Sequence, residues 1–216
     1  MPERLVVDWD GTVTEVDGLH LVLLEFGDAG IYHEAERRLG RDLTLHEVIA
    51  FEFESVRAPL PAVVAWVREH VRVRAGFAEL ARRRRPLIVS SGFHELIEPV
   101  LEREGIELDV IANRLDPRPD GWRALFRGGE VCPVCGELCK RSDVGELGEV
   151  IYVGDGFSDR CVALGAGRVF ARAGLAEYLA RKGVPFEAFA DFYEVERALD
   201  AGGAVVRATP RCDRKP

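Results

Sequence analysis

The sequence has no apolar run long enough to cross a bilayer, and it begins without the charged and apolar segments of a signal peptide. Basic residues are in deficit, 29 Lys and Arg against 37 Asp and Glu with a net charge of −8, which argues against a nucleic-acid or anionic-membrane surface. Cysteine is sparse and odd in number, five in all, which opposes a disulfide framework. No glycine-rich loop ending in lysine is present, so a P-loop nucleotide hydrolase is not supported. These absences predict a cytoplasmic protein with neither nucleic acid nor a membrane as its partner.

The sequence does contain enough apolar material for a core, since 47% of its 216 residues are hydrophobic. Short runs rich in β-branched residues alternate with helical patterns, which predicts an α/β fold with a doubly wound, mainly parallel sheet. An irregular hairpin or flap is expected between residues 113 and 130, where proline and glycine are frequent. The predicted strands cover residues 5–7, 86–90, 108–112, 149–153, 169–171 and 188–190.

A purely helical stretch interrupts this alternation after the first strand. Its apolar residues recur at helical spacing, Thr44 and Glu47 match a capping box, and Pro61 suits a first helical turn. We therefore predict a small helical cap at residues 15–74. The α/β core then consists of residues 1–14 and 75–201, and residues 202–216 form a flexible tail.

Polar side chains stand at the ends of several predicted strands. Asp8 and Asp10 follow the first strand, Ser90 ends the second, and Asp155 follows the buried run before it. Because ligands of open α/β sheets bind at the carboxyl ends of the strands, we expect these groups to meet at one edge. Carboxylates without neighbouring histidine ligands favour a hard cation, Mg²⁺ above all.

This set of residues suits phosphoryl chemistry. One carboxylate can attack phosphorus, and a second can move the proton of the leaving group. A serine hydroxyl, backbone N–H groups and the lysine at 140 can hold the phosphoryl oxygens. Each motif alone is also compatible with an ordinary turn, helix cap or surface lysine, and only their joint occurrence in order favours a site.

Four motifs in this order resemble those of the haloacid dehalogenase superfamily, and the helical insertion resembles the cap of its phosphoserine phosphatase-like branch. The motifs are Asp8-Trp9-Asp10-Gly11-Thr12-Val13-Thr14, Ser90-Ser91-Gly92, Lys140, and Gly154-Asp155-Gly156-Phe157-Ser158-Asp159. Trp9 stands where phenylalanine is usual, Ser91 where glycine is frequent and Ser158 where asparagine is frequent; none of these removes a ligand.

The resemblance implies a Mg²⁺-dependent phosphomonoesterase that acts on a small phosphorylated metabolite through an aspartyl-phosphate. It implies that Asp8 is the nucleophile and Asp10 the general acid and base. It places phosphate at Ser90, Ser91, Gly92 and Lys140, and Mg²⁺ at Asp8, Asp155 and the Asp10 backbone carbonyl. Thr12, Gly156 and Asp159 would support the site.

A cysteine run precedes the motif lysine, with Cys132, Cys135 and Cys139 in a Cys-x2-Cys-x3-Cys pattern. The run resembles that of two subgroups, the methionine-salvage phosphatases and the phosphoethanolamine/phosphocholine phosphatases. The spacing is close to a zinc knuckle that needs a fourth ligand, for which Cys161, Cys212 or water are candidates. Free thiols remain open as an alternative, as do disulfides joining Cys135 to Cys139 or Cys132 to Cys135.

The cap is expected to read the leaving group of the substrate, and Asp17, His20 and Glu52 are its candidate polar contacts. A phosphoserine pocket needs a cation for the substrate carboxylate, and Arg57 is the residue that would supply one here. We expect a non-carboxylate substrate, either a methionine-salvage ketose-type phosphate or an amino-alcohol phosphate. The alternatives are a phosphoserine phosphatase, a non-catalytic phosphate-binding regulator and a small zinc-stabilised interaction module. The sequence carries no signal for the oligomeric state.

Overall fold

A seven-stranded sheet forms the centre of the protein, whose computed structural model describes residues 4–144 and 149–202. The spatial order is β4-β3-β2-β1-β5-β6-β7, and every neighbouring pair is parallel except β3 and β4. This arrangement confirms the predicted doubly wound, mainly parallel α/β fold. The strands are β1 (Arg4–Val7), β2 (Leu87–Phe93), β3 (Val110–Asp116), β4 (Arg123–Leu125), β5 (Val150–Gly154), β6 (Arg168–Ala171) and β7 (Glu187–Ala188).

Ten helices surround this sheet in the described part of the chain. Five of them lie between the first two strands, and the first four of these lie within residues 15–74, which confirms the predicted helical character of that stretch. None of the described helices is both long and apolar enough to span a membrane. The helices are α1 (Gly18–Phe26), α2 (Ala29–Arg38), α3 (Leu45–Phe53), α4 (Leu60–His70), α5 (Phe77–Arg84), α6 (His94–Glu104), α7 (Lys140–Val144), α8 (Arg160–Ala163), α9 (Ala173–Lys182) and α10 (Phe192–Ala201).

Side chains of the central strand β1 alternate between the two faces of the sheet, as its period of two requires. Leu5 and Val7 join the larger apolar cluster, which also holds buried side chains of α5, α6 and α10. Val6 joins a second cluster with side chains of α8 and α9. The sheet is therefore covered on both faces, and its strand ends are the natural place for a site.

The helical insertion packs onto the same core as the sheet. Helix α3 begins with the predicted capping box, in which Glu47 accepts from the Thr44 backbone N–H at 2.7 Å. Pro61 lies in the first turn of α4, and Val63 and Val67 of that helix enter the larger cluster with Leu5. The division into a cap and a core stays a prediction.

The hairpin expected after residue 113 is present, but the strand before it is longer than predicted. The sequence suggested that β3 ends at residue 112, whereas it continues to Asp116 because it pairs antiparallel with β4. At the turn, Gly121 has a φ of +133°, and a Cβ there would stand 2.2 Å from the Glu54 carbonyl oxygen. Close approach to the end of α3 therefore requires glycine. The tail predicted at 202–216 lies outside the described residues from position 203 onward, and so do residues 145–148.

Candidate active site

The loop after β1 brings two carboxylates together. Asp8 is 4% exposed, and its backbone N–H donates to Val153 of β5 at 2.9 Å. Gly11 has a φ of +75°, and a Cβ at this position would stand 2.4 Å from Oδ2 of Asp155. Thr12 donates from Oγ1 to Oδ1 of Asp155 at 3.0 Å. The loop thus closes over Asp155 and holds its carboxylate beside the strand end that carries Asp8.

The second carboxylate of the loop, Asp10, is tied to the end of β2. Its Oδ1 accepts from the Gly18 N–H at 3.1 Å, and its Oδ2 accepts from the Ser90 hydroxyl at 3.3 Å. Ser90 Oγ in turn accepts from the Gly92 N–H at 2.8 Å. Ser90, Ser91 and Gly92 all line the same pocket as Asp8 and Asp10.

Lys140 joins the ends of β1 and β5. Its ammonium is fully buried, and Nζ donates to Asp8 Oδ1 and, at 2.7 Å, to Asp159 Oδ1. Asp159 Oδ1 also accepts from the Tyr152 hydroxyl, while its Oδ2 accepts from the Asp155 and Gly156 N–H groups. Because donors occupy both of its oxygens, Asp159 orients its neighbours rather than facing the pocket.

Burial and mutual repulsion perturb these carboxylates strongly. Burial and then the charge of Asp159 raise the pKa of Asp8 to about 7, and burial with Asp8 and Asp159 raises the pKa of Asp155 to about 9. Burial, Asp17 and Asp8 likewise hold the pKa of Asp10 well above its ordinary value. For Asp159, Lys140 and backbone donors outweigh burial, so its pKa is lowered.

These residues fit a hard divalent cation. Oxygen atoms of Asp8, Asp155 and Asp159 all lie within 4.8 Å of one another. Asp8 and Asp155 line the pocket, and Lys140 brings one positive charge to this group of three carboxylates through its ion pairs with Asp8 and Asp159. Oxygen-only donors of this kind suit Mg²⁺.

The pocket above these groups has a volume of about 340 Å³ and lies between the strand ends and helices α1–α3. Three of the predicted cap residues, Asp17, His20 and Glu52, line it. The fourth does not: Arg57 is exposed, and its guanidinium donates to the Ser55 carbonyl oxygen at 3.3 Å. The sequence suggested Arg57 as a cation for a substrate carboxylate, and the path of the chain after α3 carries it away from the pocket.

Two polar pocket residues, Tyr32 and Glu36, were missed by sequence reasoning. Both lie on α2 and face the pocket, and Tyr32 Oη is 2.5 Å from Nδ1 of His20. Among the described residues that line the pocket there is no lysine or arginine, whereas Asp17, Glu36 and Glu52 all bring carboxylates. The outer pocket is therefore acidic.

Arg74, which the sequence did not point to either, binds the backbone of the loop after β1. Its Nε donates to the Thr12 carbonyl oxygen at 2.8 Å. Its Nη2 lies within 3.2 Å of the carbonyl oxygens of Gly11, Thr14 and Glu15. The residue gives no motif signal, because a guanidinium that binds backbone carbonyls constrains no neighbouring residue type.

Comparison with known proteins agrees with this geometry. A family model described as haloacid dehalogenase-like hydrolase matches residues 5–164. Curated relatives include two 2-hydroxy-3-keto-5-methylthiopentenyl-1-phosphate phosphatases. That of Geobacillus kaustophilus is 28% identical over 95% of this chain and 100% of its own length. That of Microcystis aeruginosa is 28% identical over 92% of this chain and 98% of its own.

Solved structures show the same fold. A phosphoserine phosphatase in complex with its substrate superposes with a TM-score of 0.68 at 17% identity, covering 91% of this chain and 98% of that one. At this identity the likeness concerns the fold alone. The family match spans all four motifs, so the chain belongs to the haloacid dehalogenase-like hydrolases, and it is a phosphatase.

Proposed function

We propose that this phosphatase is a Mg²⁺-dependent phosphomonoesterase in which Asp8 is the nucleophile. The observation that carries the proposal is the position of Asp8, buried at the end of β1 with Lys140 on one oxygen and the pocket in front. An Asp8 oxygen attacks phosphorus, and the bond from phosphorus to the leaving oxygen breaks. Asp10, held by Gly18 and Ser90, gives the leaving oxygen its proton.

The second half of the reaction uses the same residues. Asp10 takes a proton from water as the water oxygen attacks the phosphoryl group, and the bond from phosphorus to Asp8 breaks. Ser90, Ser91 and Gly92 line the pocket where phosphoryl oxygens would lie, and Lys140 supplies positive charge beside Asp8. Asp8, Asp155 and the Asp10 carbonyl would hold Mg²⁺, which supplies positive charge to the reacting phosphoryl group.

We further propose a small phosphomonoester without a carboxylate as substrate, turned over in the cytoplasm. The acidic lining of the outer pocket disfavours the carboxylate of phosphoserine. Apolar side chains of Leu19, Leu23 and Ile49 line the same pocket and suit a methylthio tail. The methylthiopentenyl phosphate named for the relatives and an amino-alcohol phosphate remain the two candidates, and the intact Asp8 and Asp10 argue against a non-catalytic regulator.

The test is the activity of Asp8→Asn with Mg²⁺ and a generic aryl phosphate. We expect kcat to fall by about 10³-fold or more, because the amide cannot attack phosphorus. Asp10→Asn should lose about 10²–10⁴-fold. Asp42→Asn is the matched control, since Asp42 is exposed and pairs with Arg38. An Asp8→Asn protein with near wild-type turnover would refute the nucleophile assignment.

A further inference from the structure

Four cysteines converge on the face of the sheet opposite the larger apolar cluster. Three belong to the segment before α7, and the fourth, Cys161, lies on α8. Their Sγ atoms all lie within 4.8 Å of one another, and those of Cys132 and Cys161 are 3.8 Å apart. The set is Cys132, Cys135, Cys139 and Cys161.

The 3.8 Å between the Sγ atoms of Cys132 and Cys161 matches a tetrahedral metal site, and the other pairs stay within 4.8 Å. Zinc bound to thiolate at about 2.3 Å places the corners of a regular sulfur tetrahedron about 3.8 Å apart. None of the four thiols forms a disulfide, so the pairings considered from the sequence, Cys135 with Cys139 and Cys132 with Cys135, are not those of the structure. Within the described part of the chain, Cys161 is the residue that adds a fourth thiol to the three before Lys140.

The loop that carries three of these thiols folds back on itself. Residues 126–139 contain no helix or strand, so few backbone hydrogen bonds order this stretch. A tight turn folds it back, in which the Gly136 N–H donates to the Cys132 carbonyl oxygen at 2.8 Å with Gly136 at a φ of +75°. Cys132, Cys139 and Cys161 are nonetheless buried. A loop without helix or strand that nonetheless buries two of its thiols is what a metal cross-link stabilises.

We propose that Cys132, Cys135, Cys139 and Cys161 form a structural Zn²⁺ site. Four thiolates select a soft or borderline metal over Mg²⁺, and a closed set of four protein ligands leaves no position for a substrate. The site is separate from the carboxylate cluster, so Zn²⁺ binding does not depend on the proposed function.

The ligands flank two residues of the active site. Cys139 directly precedes Lys140, and Cys161 follows Asp159 by two positions. Lys140 Nζ and Asp159 Oδ1 are 2.7 Å apart, so the metal ties together the two segments that form this ion pair. The four cysteines are therefore positioning residues for Lys140, and this part of the inference rests on the proposed phosphatase mechanism.

The test measures zinc in the untagged full chain purified without added zinc. We expect about one equivalent per chain. Cys161→Ser should lose it, whereas Cys212→Ser, which removes the fifth cysteine, should retain it. A second measurement does not depend on the folding of Cys161→Ser: apoprotein of the wild type is titrated with Co²⁺, which should give the visible bands of tetrahedral thiolate coordination.

Removal of the metal gives a second readout. Zinc-free protein, prepared with a mercurial reagent and chelator and then reduced, should melt about 10 °C or more below the zinc form and recover when Zn²⁺ is returned. With Mg²⁺ present, it should show a lower kcat at temperatures where it remains folded. Any of four results would overturn the zinc site. They are purified protein without metal, iron in place of zinc, a disulfide among the four thiols, and zinc lost from Cys212→Ser but not from Cys161→Ser. Zinc bound with unchanged kcat on removal would overturn only the positioning of Lys140.

Discussion

At the scale of single residues, Lys140 is a buried cation that forms ion pairs with two buried carboxylates, Asp8 and Asp159. Without it, Asp8 and Asp159 would repel each other in a water-poor site, which links its structural and its proposed chemical role. Burial alone would lower its pKa, but Asp159 and Asp8 raise that pKa above its ordinary value, so the side chain stays charged.

Lys140→Ala should lower kcat/KM by about 10² or more and weaken inhibition by inorganic phosphate. The reason is that one charge assists both the bound phosphate and the transition state. Steady-state kinetics and the phosphate inhibition constant measure the two effects. Lys182→Ala on α9 is the control for loss of a lysine. Unchanged kcat/KM in Lys140→Ala would contradict the assignment.

Glu52 is a second residue whose carboxyl group is buried without a cation beside it in the described part of the chain. It is 4% exposed, its Oε1 has no hydrogen-bond partner among the described residues, and it faces the pocket. Burial, Glu36 and Asp17 raise the pKa of Glu52 to about 8. The folded protein therefore holds this proton more tightly than the unfolded chain does.

This pKa predicts a pH-dependent stability. Because the folded pKa is raised, the stabilisation is complete below about pH 4.5 and is lost as the pH rises through about 8. Relative to the wild type, Glu52→Gln should gain stability between pH 5 and 9, by as much as about 4 kcal/mol. Urea unfolding across this range measures the difference, with the exposed Glu54→Gln as control. Parallel pH profiles for wild type and Glu52→Gln would show that Glu52 titrates normally.

At the scale of elements, the loop after β1 depends on the strand-like segment that leaves the helical insertion. The Arg74 N–H donates to the Val13 carbonyl oxygen at 2.8 Å, and Thr14 forms an antiparallel bridge with Val73. The Arg74 guanidinium then holds the carbonyl oxygens of the loop that carries Asp8 and Asp10. The segment that leaves the helical insertion thus fixes the geometry of the loop after β1.

Arg74→Ala should lower the free energy of unfolding by about 2–4 kcal/mol, because several buried carbonyl oxygens lose their donor. It should also lower kcat in the protein that remains folded, since the loop loses its support. Arg74→Lys should recover only part of the lost stability and of the lost kcat, because an ammonium cannot reproduce the planar, forked donors of a guanidinium. Arg72→Ala, at an exposed neighbouring position, is the control. Equal losses of stability and of kcat in Arg72→Ala and Arg74→Ala would exclude a specific role of the Arg74 guanidinium.

At the scale of the whole molecule, we expect the pocket between the insertion and the sheet edge to select the substrate. Phosphoethanolamine and phosphoserine form a matched pair that differs only by a carboxylate. We expect kcat/KM for phosphoethanolamine to exceed that for phosphoserine by tenfold or more, about 1.4 kcal/mol, because the described residues that line the outer pocket bring carboxyl groups and neither lysine nor arginine.

A wider panel ranks the candidates, with phosphocholine, pyridoxal phosphate, sugar phosphates and the methylthiopentenyl phosphate beside that pair. The methylthiopentenyl or an amino-alcohol phosphate should lead it. Phosphoserine ahead by tenfold would overturn the interpretation of the acidic pocket. Glu36→Gln, which removes one pocket carboxylate, should narrow the gap within the matched pair.

The sequence by itself determined the sheet and the meeting of Asp8, Asp10, Ser90 and Asp155 at one edge. It could do so because parallel strands end on the same side, and each of these residues lies within a few positions of a strand end. The sequence also predicted the capping box of α3, since this motif depends on two residues three positions apart.

Only the tertiary structure decided which distant groups meet. It brought Cys161 to the thiols before Lys140, turned Tyr32 and Glu36 toward the pocket, took Arg57 away from it and set Arg74 against the loop after β1. These contacts join segments tens of residues apart in the chain, so they depend on helix orientation and packing rather than on local spacing. Because sequence periodicity describes only which face of an element is apolar, it could not foresee which polar side chains two such elements would place together.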